Sequence, residues 1–309
     1  MLAATLGDDD LAVSIAVVDG DRVLHTRAVG DGVEVNPGTR FRLASISKVL
    51  TAIVVMQLVE EGAIDLDEPF ARQLGVEGPV ADARVRTITV RQLLSHMSGM
   101  PVLQDAFFGG GATSWRAAAL IGLASTLSSD PGSEFAYSNV NYCLLGLLIE
   151  HVTGGDYEAA VVERLGEPLG LSGLRLAGTF DSGVDDAPYR SEIGRTYMEA
   201  LGPAGAWVAT ATDVARLLES LDVDNDGWHP LREASVRAMR TAQPAVLPSP
   251  EWTYGLGLRL FTGGEWGHTG TVEQTRDIVV TLPSGPTVAV FVSGDAPWTG
   301  GDLLELITL

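Results

Sequence analysis

The sequence predicts a mixed α/β fold of the α+β type. One antiparallel sheet is built from both ends of the chain, with a mainly helical region inserted between them. Three observations predict it. Residues 11–30 alternate in polarity around a tight turn, residues 62–240 carry helical runs, and residues 252–309 return to strand-like segments. The sheet is expected from about 11–44 and 252–309. With 309 residues and no linker-like composition, 1–309 is expected to form a single domain.

In chain order, Val13, Ile15 and Val17 alternate along a first strand. Asp19-Gly20 is a favoured hairpin turn because both positions tolerate positive φ, and Val23 to Val29 is the return strand. Ser45–Glu61 reads as a helix, apolar nearly all round from Val49 to Met56, which implies deep burial, and Gly62 ends it. Val90–Leu94, Trp115–Leu123, Asn141–Thr153 and Thr212–Leu221 read as further helices. Trp252–Leu260, Thr275–Leu282 and Thr287–Val292 read as strands, with Pro283-Ser284-Gly285-Pro286 as a turn, and Asp302–Leu309 as a short final helix.

Composition narrows the function. Twenty basic against 40 acidic residues give a formal charge of −20, a poor match for nucleic acid or an anionic membrane surface. The expected partner is a small-molecule or short-peptide substrate, with oligomeric state open. The single cysteine, Cys143, allows no intrachain disulfide and no thiolate zinc site; its apolar setting reads as a buried small hydrophobe. The first residues lack a basic, apolar leader pattern, so a cytoplasmic protein is expected. No cofactor is required by this reading.

The chemistry concentrates in three places. In Ser45-Ile46-Ser47-Lys48 the serine and lysine are three apart, hence on one helix face. A lysine with a lowered pKa can deprotonate a serine hydroxyl. A capping serine with a solvated lysine gives the same spacing. Tyr137-Ser138-Asn139 places a phenol and an amide two apart ahead of a helix; Tyr137 could relay a proton and Asn139 could hold the lysine or a substrate amide. A loop tyrosine and an N-cap asparagine fit equally simply. Finally, His268-Thr269-Gly270-Thr271 follows a strand-like stretch. On an edge strand it could dock a substrate, with polar groups from His268 and Thr269 and an oxyanion donor from the Thr271 N–H. A β-turn with a surface histidine is the alternative.

Taken together and in this order, Ser45-x-x-Lys48, Tyr137-x-Asn139 and His268-Thr269-Gly270 resemble the serine β-lactamase and penicillin-binding-protein superfamily. More narrowly, they look like the branch holding class C β-lactamases, DD-carboxypeptidases, D-amino-acid peptidases and related esterases. Phe41–Lys48, Ile88–Gly99, Pro131–Gly154 and Thr210–Leu218 fit too.

The resemblance implies a β-lactamase/transpeptidase-like fold: an antiparallel sheet flanked by helices, an all-helical lobe, and the site between them. It implies that Ser45 forms an acyl-enzyme, that Lys48 and Tyr137 share acid–base work, and that Asn139 orients. The backbone N–H groups of Ser45 and Thr271 would form the oxyanion hole. His268 departs from the lysine usual in β-lactamases and resembles certain DD-carboxypeptidases and esterases. In that comparison Arg259 would bind a substrate carboxylate; a plain strand arginine is the other reading. The expected activity is hydrolysis of an ester or amide: a D-amino-acid peptide, a small ester or a β-lactam-like compound. A slow penicillin-binding sensor and an acyltransferase are the alternatives.

Two features lie outside this set. His96, at a helix end, reads as structural. Asp222 to Glu233 satisfies a D-x-[DN]-x-[DN]-G-x₅-E calcium-loop pattern, although His229 and Pro230 are unusual in it. An acidic loop between helices is the simpler reading.

Overall fold

The computed structural model describes residues 12–30, 34–181, 183–189, 191, 193–225, 227–243, 250–294 and 298–308. The N-terminal leader reading, Asp226 of the acidic loop and Leu309 of the final helix lie outside the described residues.

The strands are β1 (Ala12–Asp19), β2 (Arg22–Gly30), β3 (Phe41–Arg42), β4 (Arg175–Leu176), β5 (Trp207–Ala209), β6 (Trp252–Tyr254), β7 (Arg259–Phe261), β8 (Trp266–Val272), β9 (Thr275–Thr281) and β10 (Thr287–Ser293). Seven form one antiparallel sheet in the order β2-β1-β10-β9-β8-β7-β6. Both chain ends therefore meet in it, as the alternation of the sequence predicts; Ala12↔Ser293 and Val18↔Thr287 mark the seam.

Period-two alternation gives the sheet two apolar faces. Ala12, Ala16, Ala289 and Phe291 join the large core shared with the helical region. Val13, Ile278, Val290 and Val292 face the other way and pack with Leu303 of the final helix, Gly300–Thr308. A fully buried aliphatic side chain of this kind contributes about 1.5–3 kcal/mol.

Three expectations need correction. Trp252–Leu260 is not one strand. The chain turns back between β6 and β7, and Gly257, at φ +79°, packs so tightly that a Cβ would lie 2.3 Å from the Cβ of Ala52. The helix expected from Ser45 begins instead with a 3₁₀ turn, Ala44–Ile46, and becomes α-helical over Ser47–Glu60. The helix expected from Asn141 starts at Asn139.

A second, three-stranded sheet of order β3-β5-β4 positions the site. Phe41↔Ala209 and Arg42↔Val208 draw β5 alongside the chain entering the 3₁₀ turn. The Leu43 N–H donates to Trp207 O at 2.9 Å, and the Trp207 N–H donates to Ser47 Oγ at 3.2 Å. Ser47 is thus a structural anchor, and residues 203–205 lie beside the helix that follows it.

Asp277 on β9 is fully buried. Its Oδ1 accepts the Val292 N–H at 3.1 Å, and its Oδ2 has no hydrogen-bond partner among the described residues. Burial pushes its carboxyl well above the ordinary 3.8. The folded chain then holds a proton that the unfolded chain releases, so stability falls as pH rises from 3.8 toward the folded value, by about 1.4 kcal/mol per pH unit. Asp277→Asn cannot ionise. Its melting temperature relative to the parent is expected to rise between pH 5 and pH 8; a gap that stays constant would show that Asp277 is ionised in the fold.

Candidate active site

The 3₁₀ turn presents one side chain. From Phe41 to Met56 every residue is buried except Ser45, which is half-buried. Ala44 beside it has φ +43°, a left-handed conformation costly to a residue with a Cβ. The sequence folds this way because Leu43, Ile46, Val49, Leu50 and Ile53 all enter the core. Only the hydroxyl at position 45 is left facing outward.

Lys48 is fully buried, which excludes the solvated-lysine reading. Its Nζ lies 3.3 Å from Ser45 Oγ, 2.8 Å from Asn139 Oδ1 and 2.7 Å from Ala204 O. Burial lowers its pKa below the ordinary 10.5, while the Tyr137 phenol pulls it part of the way back. The geometry suits both protonation states. As an ammonium, Lys48 donates to all three oxygens. As an amine it keeps the two shorter bonds and turns its lone pair to the Ser45 hydroxyl, the arrangement a general base needs.

Asn139 is the first residue of its helix, with Ser138 at the N-cap, and its amide is turned onto Lys48 rather than used as a cap. Tyr137 stacks its ring 4.8 Å from Lys48 Nζ. Its hydroxyl is buried and makes no hydrogen bond among the described residues.

The third wall is β8. Strand β7 pairs only with Trp266 and Gly267, so residues 268–272 leave the edge nearest the 3₁₀ turn unpaired by β7. Gly270 makes the close approach possible: a Cβ there would lie 2.4 Å from Leu43 O. Ser45, Asn139, Phe108, Leu201, Gly205 and Thr271 line a small cavity of about 30 Å³. Ser45 and Thr271 thus face one space, as a pair of oxyanion donors must.

Two side chains do not behave as expected. His268 is fully buried, not a surface histidine and not a free polar group for substrate. Its Nδ1 lies 2.7 Å from its neighbour's carbonyl, Thr269 O, and its Nε2 lies 2.9 Å from Tyr254 Oη. A carbonyl only accepts, so Nδ1 carries the proton and Tyr254 donates to Nε2. Burial, with Arg259 and Lys48 nearby, holds the imidazole neutral, its pKa well below 6.5. Thr269 packs against the final helix, where a Cβ on Gly300 would lie 2.5 Å from its Cγ2. Both residues shape the strand.

The Beta-lactamase family profile matches residues 7–306. The chain belongs to the β-lactamase family. Penicillin-binding protein 4 of Amycolatopsis lactamdurans is 32% identical over 303 residues, 89% of this chain and 78% of that protein. The D-stereospecific amidohydrolase of a Streptomyces species shares the fold with a TM-score of 0.81 and 27% identity, over 98% of this chain and 95% of that one. The D-amino acid amidase of Ochrobactrum anthropi SV3 has a TM-score of 0.78 at 23% identity, over 99% and 95%, a likeness of fold. The serine β-lactamase and penicillin-binding-protein superfamily and its mixed antiparallel-sheet fold are therefore established for this chain, and the family is one of serine hydrolases.

Within this family frame, Arg259 sits at the start of β7, its guanidinium 4.5 Å from the centre of the Trp252 ring. Its Nε is buried with no partner among the described residues. Its charge reaches the site, lowering the pKa of both His268 and Lys48.

Sequence reasoning missed two groups. Ala204 contributes through a backbone carbonyl, which carries no side-chain signal. Tyr254 lies inside the run read as one strand, Trp252–Leu260, with nothing to mark its phenol as the partner of His268. Among the described residues no helix is long and apolar enough to cross a membrane, and no group of three or more His, Cys, Asp or Glu is placed to hold a metal. In the acidic loop, His229 places Nδ1 3.0 Å from Ser220 O and Nε2 2.9 Å from Asn225 O. Its ring lies between the carbonyls of Ser220 and Asn225.

Proposed function

We propose that this chain hydrolyses a small amide or ester of a D-amino acid through an acyl-Ser45 intermediate. The observation that carries the reading is the buried Lys48, whose Nζ contacts Ser45 Oγ, Asn139 Oδ1 and Ala204 O together. The similarity to a D-stereospecific amidohydrolase supports the choice of acyl group.

In this reading, Ser45 Oγ attacks the substrate carbonyl carbon as Lys48 Nζ accepts the hydroxyl proton. The N–H groups of Ser45 and Thr271 bind the developing oxyanion, an interaction worth about 10²–10³ in rate per donor. Tyr137 passes a proton to the leaving nitrogen or oxygen, and the carbonyl–leaving-group bond breaks. Water then attacks the acyl-serine with the same groups in reversed roles, releasing the acid and restoring Ser45.

Arg259 is assigned the carboxylate of a peptide substrate. Its buried, unpartnered Nε and its place beside the third motif support this. The test compares a D-alanyl dipeptide with the corresponding D-alanine amide, which lacks the carboxylate. Arg259→Gln is expected to lower the dipeptide-to-amide ratio of kcat/KM by about tenfold or more, the scale of one charge-assisted contact. An unchanged ratio would contradict the assignment.

A further inference from the structure

His96 is a buried titratable group that the mechanism above does not use. It is fully buried, and its φ of +58° lies in the left-handed region. Its contacts converge on a single neighbour. The His96 carbonyl accepts the Ala136 N–H at 2.9 Å, and its Nδ1 accepts the Ser138 N–H at 3.2 Å. These are the amides on either side of Tyr137. The His96 ring also lies 4.2 Å from the Tyr137 ring, centre to centre.

Nδ1 has a second donor, Asn141 Nδ2 at 3.1 Å, whose Oδ1 accepts the Ser98 hydroxyl at 2.7 Å. With two donors aimed at it, Nδ1 must carry the lone pair, so the ring proton is on Nε2. Nε2 is buried without a hydrogen-bond partner among the described residues, surrounded by the rings of Phe135, Tyr137, Tyr142 and Tyr254. The charged and titratable groups acting on it are Lys48, His268 and Arg259, and burial together with them keeps the imidazole neutral. A protonated His96 would lose both Nδ1 bonds.

We propose that His96 is a positioning residue. It fixes Tyr137 over Lys48 and sets the helix start that presents Asn139, by holding the backbone on both sides of the phenol. The inference rests on the acyl-serine reading.

The test measures labelling by a fluorescent fluorophosphonate, in which Ser45 Oγ bonds to phosphorus, fluoride leaves and the hydroxyl proton passes to Lys48. The maximal labelling rate, kinact, and the half-saturating concentration, KI, are determined separately. Three variants are compared. His96→Asn puts Oδ1 where Nδ1 was and tolerates the left-handed backbone. His96→Gln extends its amide toward the Nε2 position. His96→Leu has no acceptor.

His96→Leu is expected to lose about 100-fold in kinact with KI within about threefold, the cost of misplacing a catalytic group by about 1 Å. His96→Asn is expected to recover to within about tenfold of the parent, and His96→Gln to stay near the Leu variant. A purely structural role would lower the melting temperature and leave kinact per folded molecule unchanged, which would overturn the proposal. If the Leu variant does not fold, the Asn and Gln variants decide, and equal kinact values overturn it. A parent protein that takes no label overturns the acyl-serine reading and this inference with it. A labelled parent with equal variants overturns this inference alone.

Discussion

Ser45→Ala and Lys48→Met are each expected to lower the single-turnover rate of substrate cleavage by about 10⁴-fold, and the double variant by no more than either alone, because the two side chains act as one unit. Without Ser45 there is no atom to acylate. Without Lys48 the serine hydroxyl keeps its proton and is a weak nucleophile.

Stability separates the two variants. Ser45 is half-buried and its deletion leaves no buried group without a partner, so the melting temperature should hold. Lys48→Met strands Asn139 Oδ1 and Ala204 O, which sit 2.8 and 2.7 Å from Nζ. Each unsatisfied buried acceptor costs about 1–3 kcal/mol. Rates must therefore be taken on folded protein, below the melting transition. Acylation by Lys48→Met within tenfold of the parent would remove Lys48 from the role of base.

Gly270→Val is expected to cost about 10³-fold in kcat/KM, although position 270 supplies no reacting atom. A Cβ at 270 would lie 2.4 Å from Leu43 O and 3.4 Å from the Ala44 Cβ. Leu43 O accepts the Ile46 N–H at 3.0 Å, one of the bonds that shape the turn carrying Ser45. Neither backbone can yield cheaply, so β8 must move away from the turn. That movement separates the Ser45 and Thr271 amides and removes about one oxyanion donor, worth 10²–10³, along with part of the substrate edge. The check is kcat/KM for a small ester beside the melting temperature. Parent-like turnover in a folded Val variant would show that the approach of β8 to the turn has no catalytic role.

Much of this was legible in the sequence, and the reasons differ by element. The hairpin β1–β2 and the strands β9 and β10 were readable because alternation and turn residues are local signals. The split of 252–260 into β6 and β7 was hidden. Gly255 and Gly257 lie in an apolar run, and what demands them is contact with Met239 and Ala52, distant in sequence.

The site was legible as three short motifs, since reacting groups must be of particular residue types. Their orientation was not. His268 faces inward and Thr269 meets Gly300, and which way a strand residue points depends on pairing that the sequence does not state. The burial of Lys48 followed from the apolar run after it; its acceptor Ala204 depends on the β3–β5 pairing. Asn139 read equally as a cap, and only the observed helix start at 139 separates the two roles.

The most direct test of the central claim is the intact mass of the protein after incubation with a fluorophosphonate and with penicillin, followed by peptide mapping. The expected result is one adduct per chain on the peptide carrying Ser45, absent in Ser45→Ala. No adduct, or an adduct on Ser47 or another residue that persists in Ser45→Ala, would contradict Ser45 as the nucleophile.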